Sequence, residues 1–236
     1  MTHGTTPMTP ATLMGLSISL ATGLYGLSFG ALAVAAGLTV TQTVVLSAVM
    51  FTGGSQFAFV GVIATGGSPA AAVGAATMLY LRNAIYGAQM AVLLSPRGPW
   101  KFLAAHITID ESAGTASIQD TSSERHRGFW VAGIGVFLLW NLFTLAGALL
   151  GDTLGNPQTF GLDGAAVAAF LALLWPRLTQ RPMRTVAYLA ALGAIISIPY
   201  LPSGMPLLVA AAIAGTMGWR TAHIAHRAHT THQETP

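Results

Sequence analysis

Residues 69–94 read PAAAVGAATMLYLRNAIYGAQMAVLL, and Arg82 is the only charged residue in this apolar run. A helix that crosses the hydrocarbon core of a bilayer needs about 20 predominantly apolar residues, so the run predicts a transmembrane helix. A guanidinium near the middle of such a helix costs about 2.5–3.5 kcal/mol on insertion scales, unless it faces a protein interior or a wet cavity. The run therefore predicts a membrane protein with an interior cleft.

The composition of the whole chain indicates the same class of protein. Of its 236 residues, 53% are hydrophobic and 7% are charged, whereas a soluble domain carries about 25% charged residues. The absence of cysteine excludes disulfides and thiolate metal sites. We predict an all-α fold, a polytopic membrane helix bundle of about seven transmembrane helices. The candidate spans are 13–37, 41–65, 69–94, 129–151, 162–179, 184–200 and 205–222.

The basic residues predict how the chain is oriented. They lie in alternate connections, which indicates membrane orientation rather than a nucleic-acid partner. This alternation predicts a multi-pass protein of a cell inner membrane, with its N-terminus outside and its C-terminus in the cytoplasm. The residues concerned are Arg97, Lys101, Arg125 and Arg127, then Arg177, Arg181 and Arg184, then Arg220 and Arg227.

The domain organisation follows from the same pattern. Residues 1–12 form a polar N-terminal tail, 13–222 a single membrane domain, and 223–236 a His-rich C-terminal tail. Within the membrane domain, 95–128 is a long polar connection. A single extra span at 102–118 would break the alternation of basic connections, so we expect a loop or a re-entrant hairpin there.

Arg82 begins a polar stripe on its helix. Tyr86 and Gln89 follow at four and seven residues, on the same helical face. One hypothesis is that the guanidinium binds a carboxylate of a substrate or a partner side chain. The alternative is a structural ion pair that docks two helices, and the residue types favour neither.

The segment Thr52-Gly53-Gly54-Ser55-Gln56 interrupts the second apolar run. Paired glycines with small hydroxyl residues predict either a helix break or a close helix crossing. A break would expose free backbone N–H groups and the positive end of a helix dipole, which can hold a substrate carboxylate. We favour the break, because Gln56 would otherwise be an uncompensated amide in lipid.

The adjacent acids Asp110 and Glu111 are a third feature. Neighbouring residues point to different faces of a helix, so the two acids are not expected to form one carboxylate pair. One of them could pair with Arg82 or bind an ammonium group, and His106 with Asp110 could relay a proton. A solvated cytoplasmic loop is the alternative.

No motif points to an enzyme or a cofactor. The chain contains no Ser–His–Asp order, Walker loop or His-Glu-x-x-His motif. His223, His226, His229 and His232 recur every third residue, but we expect a solvated terminus rather than a metal site. A membrane enzyme acting on a lipid and a non-transporting scaffold subunit remain alternative functions.

An ordered set of these motifs resembles the AzlC family of branched-chain amino acid permeases, over roughly residues 15–180. The family's usual Asn and His are replaced by Tyr80 and Asn83, and both positions bear on the polar lining. The similar segments are GLSFG at 26–30, AGLT at 36–39, FTGGSQF at 51–57, LRNAIYG at 81–87, TIDE at 108–111 and GLD at 161–163.

The resemblance implies a secondary transporter that exports leucine, isoleucine, valine or analogues across the cytoplasmic membrane. It also implies a small AzlD-type membrane subunit as a partner. We expect the amino acid to bind between the helix break and the charged residues. The candidate substrate-binding residues are Gly53, Gly54, Ser55, Gln56, Arg82, Asn83, Tyr86, Asp110 and Glu111.

Overall fold

The computed structural model describes residues 8–154, 171, 175–179, 181–201, 205–206 and 208–218. These residues form helices and no β-strand, which confirms the all-α prediction. The helices are α1 (Pro10–Ala35), α2 (Val40–Val49), α3 (Gly54–Ala64), α4 (Pro69–Leu94), α5 (Trp100–His106), α6 (Asp110–Ser117) and α7 (Ser122–Leu154), followed by a 3-10 helix (Trp175–Thr179), α8 (Arg181–Ser197) and α9 (Leu208–Gly218).

Side-chain caps explain where the first helices begin. The hydroxyl of Thr9 accepts a hydrogen bond from the backbone N–H of Thr12, and Pro10 begins α1. Ser68 and Pro69 repeat the arrangement at α4. A hydroxyl cap satisfies one of the free N–H groups of the first turn, and proline has no N–H to lose there.

The predicted run at 41–65 is a broken helix. The chain leaves helical geometry after Val49 and resumes it at Gly54, so the predicted break is confirmed. Gly53 lies between the halves with φ 60° and ψ −83°, a conformation that residues with a Cβ rarely adopt. The Gln56 amide donates to the carbonyl of Ser47 at 3.0 Å and thereby ties α3 back to the end of α2.

Helices α1 and α7 pack in close contact along their lengths. A Cβ at Gly30 would overlap the carbonyl of Thr144, and one at Gly147 would overlap the carbonyl of Leu27. Small residues let backbones approach closely, which is the main way in which helices pack inside membranes. The crossing holds the buried Phe29 against Trp140, whose ring centroids are 5.9 Å apart.

The polar connection at 95–128 contains more structure than a loop. It folds into α5, α6 and the first turn of α7, and Ile107 and Ala116 are buried against Phe129. The interpretation of this segment as a solvated loop is therefore wrong around residues 104–116. Polar residues of this stretch are buried as well, namely Thr108, Ser112 and Thr115.

The described surface suits a helical membrane bundle. Helix α1 and residues Ser122–Thr153 of α7 are each long and apolar enough to cross a membrane. Large apolar side chains such as Ile85, Val92 and Leu138 point outward. Helix α4 is as long as α1, but its polar residues make it less apolar. The prediction of seven spans stays a prediction, because most of 162–179 lies outside the described residues.

Candidate functional site

A cavity of about 400 Å³ opens beside the helix break. This volume is in the range of pockets that bind small molecules, about 300–1,000 Å³. Five parts of the fold contribute to its wall: α1, the junction of α2 and α3, α4, α6 with the residue before it, and α7. Their lining residues are Thr22 and Tyr25, Phe51 to Gly54 with Phe57, Leu79 and Arg82, Ile109 to Glu111, and Val136 and Trp140.

Arg82 and Asp110 form an ion pair in the wall of this cavity. The Arg82 Nη1 atom lies 2.7 Å from Asp110 Oδ2, and the two side chains are 36% and 33% exposed. The pair joins α4 to α6, as a structural ion pair would. Because both side chains remain partly open to the cavity, it also presents charge to whatever enters there.

The guanidinium lies beside the start of α3. A Cβ built on Gly54 would be 3.6 Å from Arg82 Nη2, so the other guanidinium nitrogen approaches the first residue of the helix. The first N–H groups of a helix have no intrahelical acceptor, and the helix dipole is positive at that end. The Arg82 charge and the α3 N-terminus thus form one electropositive wall.

Glu111 is the second acid of the cavity, and its surroundings differ from those of Asp110. The Thr22 hydroxyl donates to Glu111 Oε1 at 3.4 Å. Within the part of the chain that the structure describes, no cationic nitrogen lies within 4.0 Å of its carboxylate. Ser112 positions the turn, because its hydroxyl accepts from the N–H of Ile109 at 3.0 Å. Helix α6 thus presents a paired acid and an acid without a cation.

The remaining wall is mostly apolar, with two unpartnered donors. Phe57 meets the Trp140 ring edge-on at a centroid distance of 6.1 Å, and Val136 and Leu79 add aliphatic surface. Trp140 Nε1 and Thr52 Oγ1 are buried and have no hydrogen-bond partner among the described residues. Buried polar atoms are normally satisfied, so both atoms are suited to contact a bound polar group.

The structure places five of the nine predicted site residues in the cavity wall: Gly53, Gly54, Arg82, Asp110 and Glu111. The other four predicted residues do not line the cavity. Gln56 is fully buried and holds the two half-helices together. Asn83 donates to the carbonyl of Thr108 at 3.3 Å, Tyr86 packs against the cluster around Met90, and Ser55 is buried. These four support the site rather than line it.

The expectation for His106 changes, and the one for the His-rich tail stays a prediction. His106 packs against the rings of Phe51 and Phe137, with centroid distances of 6.1 and 5.5 Å, and it does not line the cavity. The structure shows no hydrogen bond between His106 and Asp110, so the two side chains lack the contact through which they could relay a proton. The His-rich tail at 223–236 lies outside the described residues.

Sequence reasoning missed Thr22, Tyr25, Phe51 and Trp140 as lining residues. Thr22 and Tyr25 lie three residues apart on one face of α1, and that polar spacing inside an apolar run was an available signal. Trp140 also carried a signal, because it lies in mid-run rather than at a helix end, where membrane tryptophans concentrate.

One of three comparisons with known proteins found a match. No curated protein and no solved structure matches the chain. A family model described as AzlC protein matches residues 17–154. That range contains most of α1, all of α2 to α7 and every described residue of the cavity wall, but not the GLD segment at 161–163. It covers more than half of the chain, which therefore belongs to the AzlC family, a transport-associated family of membrane proteins.

Proposed function

We propose that this protein is a secondary transporter that exports branched-chain amino acids across the cytoplasmic membrane. The observation that carries the proposal is the layout of the cavity: one wall is electropositive, one carries a carboxylate without a cation, and the rest is apolar. A free amino acid with an aliphatic side chain has the complementary three groups.

The substrate carboxylate binds at the electropositive wall. Arg82 supplies a guanidinium that suits carboxylates, and the α3 N-terminus beside it supplies backbone N–H groups. Among the described residues of the same cavity, Arg82 Nε, Trp140 Nε1 and Thr52 Oγ1 are donors without a hydrogen-bond partner. Glu111 on α6, the acid without a cationic partner, binds the ammonium.

The branched side chain occupies the apolar part of the wall. Phe51, Phe57 and Val136 line it. Aliphatic burial discriminates weakly, by about 1–3 kcal/mol per methylene, so one cavity can accept leucine, isoleucine and valine.

The proposal also includes the energy source for export and a partner subunit. No nucleotide-binding motif is present in the sequence, so we assign the energy to the proton gradient. A small AzlD-type membrane subunit is the proposed partner. The transporter lies in the inner membrane with several spans and its C-terminus in the cytoplasm, as its basic connections predict.

Flux of labelled leucine in proteoliposomes tests the proposal. The chain is reconstituted alone and with the small subunit, as wild type and as Arg82→Gln. We expect flux above that of empty liposomes in at least one wild-type preparation, and a loss of at least tenfold in the variant. Arg127→Gln is the matched control, because Arg127 pairs with Glu124 outside the cavity. Flux at the empty-liposome level in every wild-type preparation would overturn the proposal.

A further inference from the structure

The two acids of the cavity, Asp110 and Glu111, differ in whether a cationic side chain lies beside the carboxylate. Asp110 pairs with Arg82 at 2.7 Å, whereas Glu111 accepts from the Thr22 hydroxyl at 3.4 Å and, among the described residues, has no cationic nitrogen within 4.0 Å. A carboxylate withdrawn from bulk water without a counter-charge is unfavourable, and a proton or a bound cation removes the penalty. Glu111 is therefore the cavity acid that is most in need of a cation.

We infer that Glu111 is an exchange site at which a proton and the ammonium group of the substrate replace each other. The inference rests on the proposed transport function and assigns its coupling to one side chain. The carboxylate holds either the proton, in an O–H bond, or the ammonium, in an ion pair. When the ammonium arrives, the proton leaves Glu111 for water on the side to which the cavity is open.

The other charged and titratable groups around Glu111 do not compete for this role. Arg82 on α4 and Asp110 on α6 neutralise each other. Among the described residues, Tyr25 on α1 is the remaining titratable residue of the cavity lining. The stretch from Phe51 to Phe57 and helix α7 contribute no titratable side chain to that lining. One exchangeable proton per cavity follows from this arrangement.

Charge conservation gives the direction of coupling. With Glu111 protonated and no substrate, the charges of Arg82 and Asp110 cancel and the cavity is neutral. With Glu111 ionised and a zwitterion bound, the cavity carries one negative charge. Outward movement of the loaded site and inward return of the protonated site bring one positive charge into the cell per exported amino acid. An inside-negative potential and an inward proton gradient both favour that cycle.

Proton release on substrate binding tests the inference directly. Leucine is added to the purified protein, with its small subunit if binding requires it, in weakly buffered detergent solution containing a pH indicator. We expect the wild type to release up to about one proton per leucine bound, because the two ligands are linked at one group. Glu111→Gln should release none, and its residual leucine affinity should not depend on pH.

Two further variants complete the experiment. Asp120→Asn removes an exposed carboxylate outside the cavity and should release protons as the wild type does. Glu111→Asp keeps a titratable group at a changed distance, so the pH at which release is half-maximal should move even if the glutamine variant does not fold. An unchanged midpoint in the aspartate variant contradicts the inference.

The outcomes separate this inference from the proposed function. Leucine binding by the wild type without proton release, or full release by Glu111→Gln, overturns the exchange role and leaves transport intact. A wild type that binds no branched-chain amino acid at any pH at which it is folded overturns both.

Discussion

The guanidinium of Arg82 lies between the carboxylate of Asp110, at 2.7 Å, and the first residue of α3. One side chain thereby connects α4, α6 and the break between α2 and α3. The Arg82 side chain is 36% exposed and forms part of the cavity wall. The Arg82 guanidinium, whose charge would be costly in hydrocarbon, thus lies where α4, α6 and the break between α2 and α3 meet.

The Arg82–Asp110 pair should contribute to stability cooperatively. We expect Arg82→Gln and Asp110→Asn each to lower the free energy of unfolding by about 1–2 kcal/mol, between the values for exposed and buried pairs. The double variant should lose less than the sum, because neither partner is then left unpaired. Denaturation in detergent measures the free energy of unfolding of the two single variants and the double variant. Arg127→Gln is the control, and we expect it to be weakly affected. Strict additivity would show that the pair is energetically irrelevant.

The close contact of α1 and α7 predicts a large effect from a single methyl group. Gly147→Ala places a Cβ against the carbonyl of Leu27, where no flexible side chain can move aside. We expect a destabilisation of about 1–3 kcal/mol from overpacking, and more if the helices separate. Gly74→Ala in α4 is the matched control, since nothing lies within 4 Å of its Cβ position. Equal melting temperatures of the two variants would contradict the packing described.

The two glycines at the helix break should respond differently to alanine. Gly53 has φ 60°, so Gly53→Ala should cost about 1–3 kcal/mol in backbone strain. At Gly54 the added Cβ would make ordinary contacts, 3.6 Å from Arg82 Nη2 and 3.7 Å from Leu79 Cδ2. Gly54→Ala should therefore leave the melting temperature almost unchanged. A result in which Gly54→Ala is the less stable protein would show that the break lies elsewhere.

Gln56 should prove structural. Its amide donates to the Ser47 carbonyl at the end of α2, where carbonyls lack helical partners. We expect Gln56→Leu to lower the free energy of unfolding by about 1–3 kcal/mol, because it leaves that carbonyl unsatisfied. Substrate affinity, measured at a temperature where the variant is folded, should change less than stability does. A loss of affinity in a variant of full stability would assign Gln56 to substrate contact instead.

Trp140 should contribute a hydrogen bond to the substrate. Trp140→Phe keeps an aromatic ring against Phe29 and Phe57 but removes the unpartnered Nε1–H. The loss of one hydrogen bond to the substrate carboxylate, about 1.5–3 kcal/mol, predicts a roughly 10- to 150-fold weaker leucine affinity. Equilibrium binding of labelled leucine measures this. Trp130→Phe is the control, because Trp130 packs against Trp100 outside the cavity; equal affinities of the two variants would contradict the role of Trp140.

Much of the helical framework could be predicted because it depends on local properties. The predicted run 69–94 has the bounds of α4, and 13–37 and 129–151 each fall largely on one helix. The break at Gly53 was predictable because paired glycines are unfavourable in a helix and a nearby glutamine needs a partner. The short helices α5 and α6 were missed because each is too brief to give a clear apolar period among the polar residues of 95–128.

Composition and local sequence are sufficient to predict an apolar helical protein, an interrupted helix and a polar companion for Arg82. These properties follow from composition, from neighbours within one turn, and from the cost of a charge in hydrocarbon. Three contacts depend instead on how the folded helices pack: Asp110 with Arg82, Gln56 with α2, and Thr22 with Glu111. The last pair is separated by 89 residues, and contacts at that range depend on how α1, α6 and α7 pack, which no local pattern encodes.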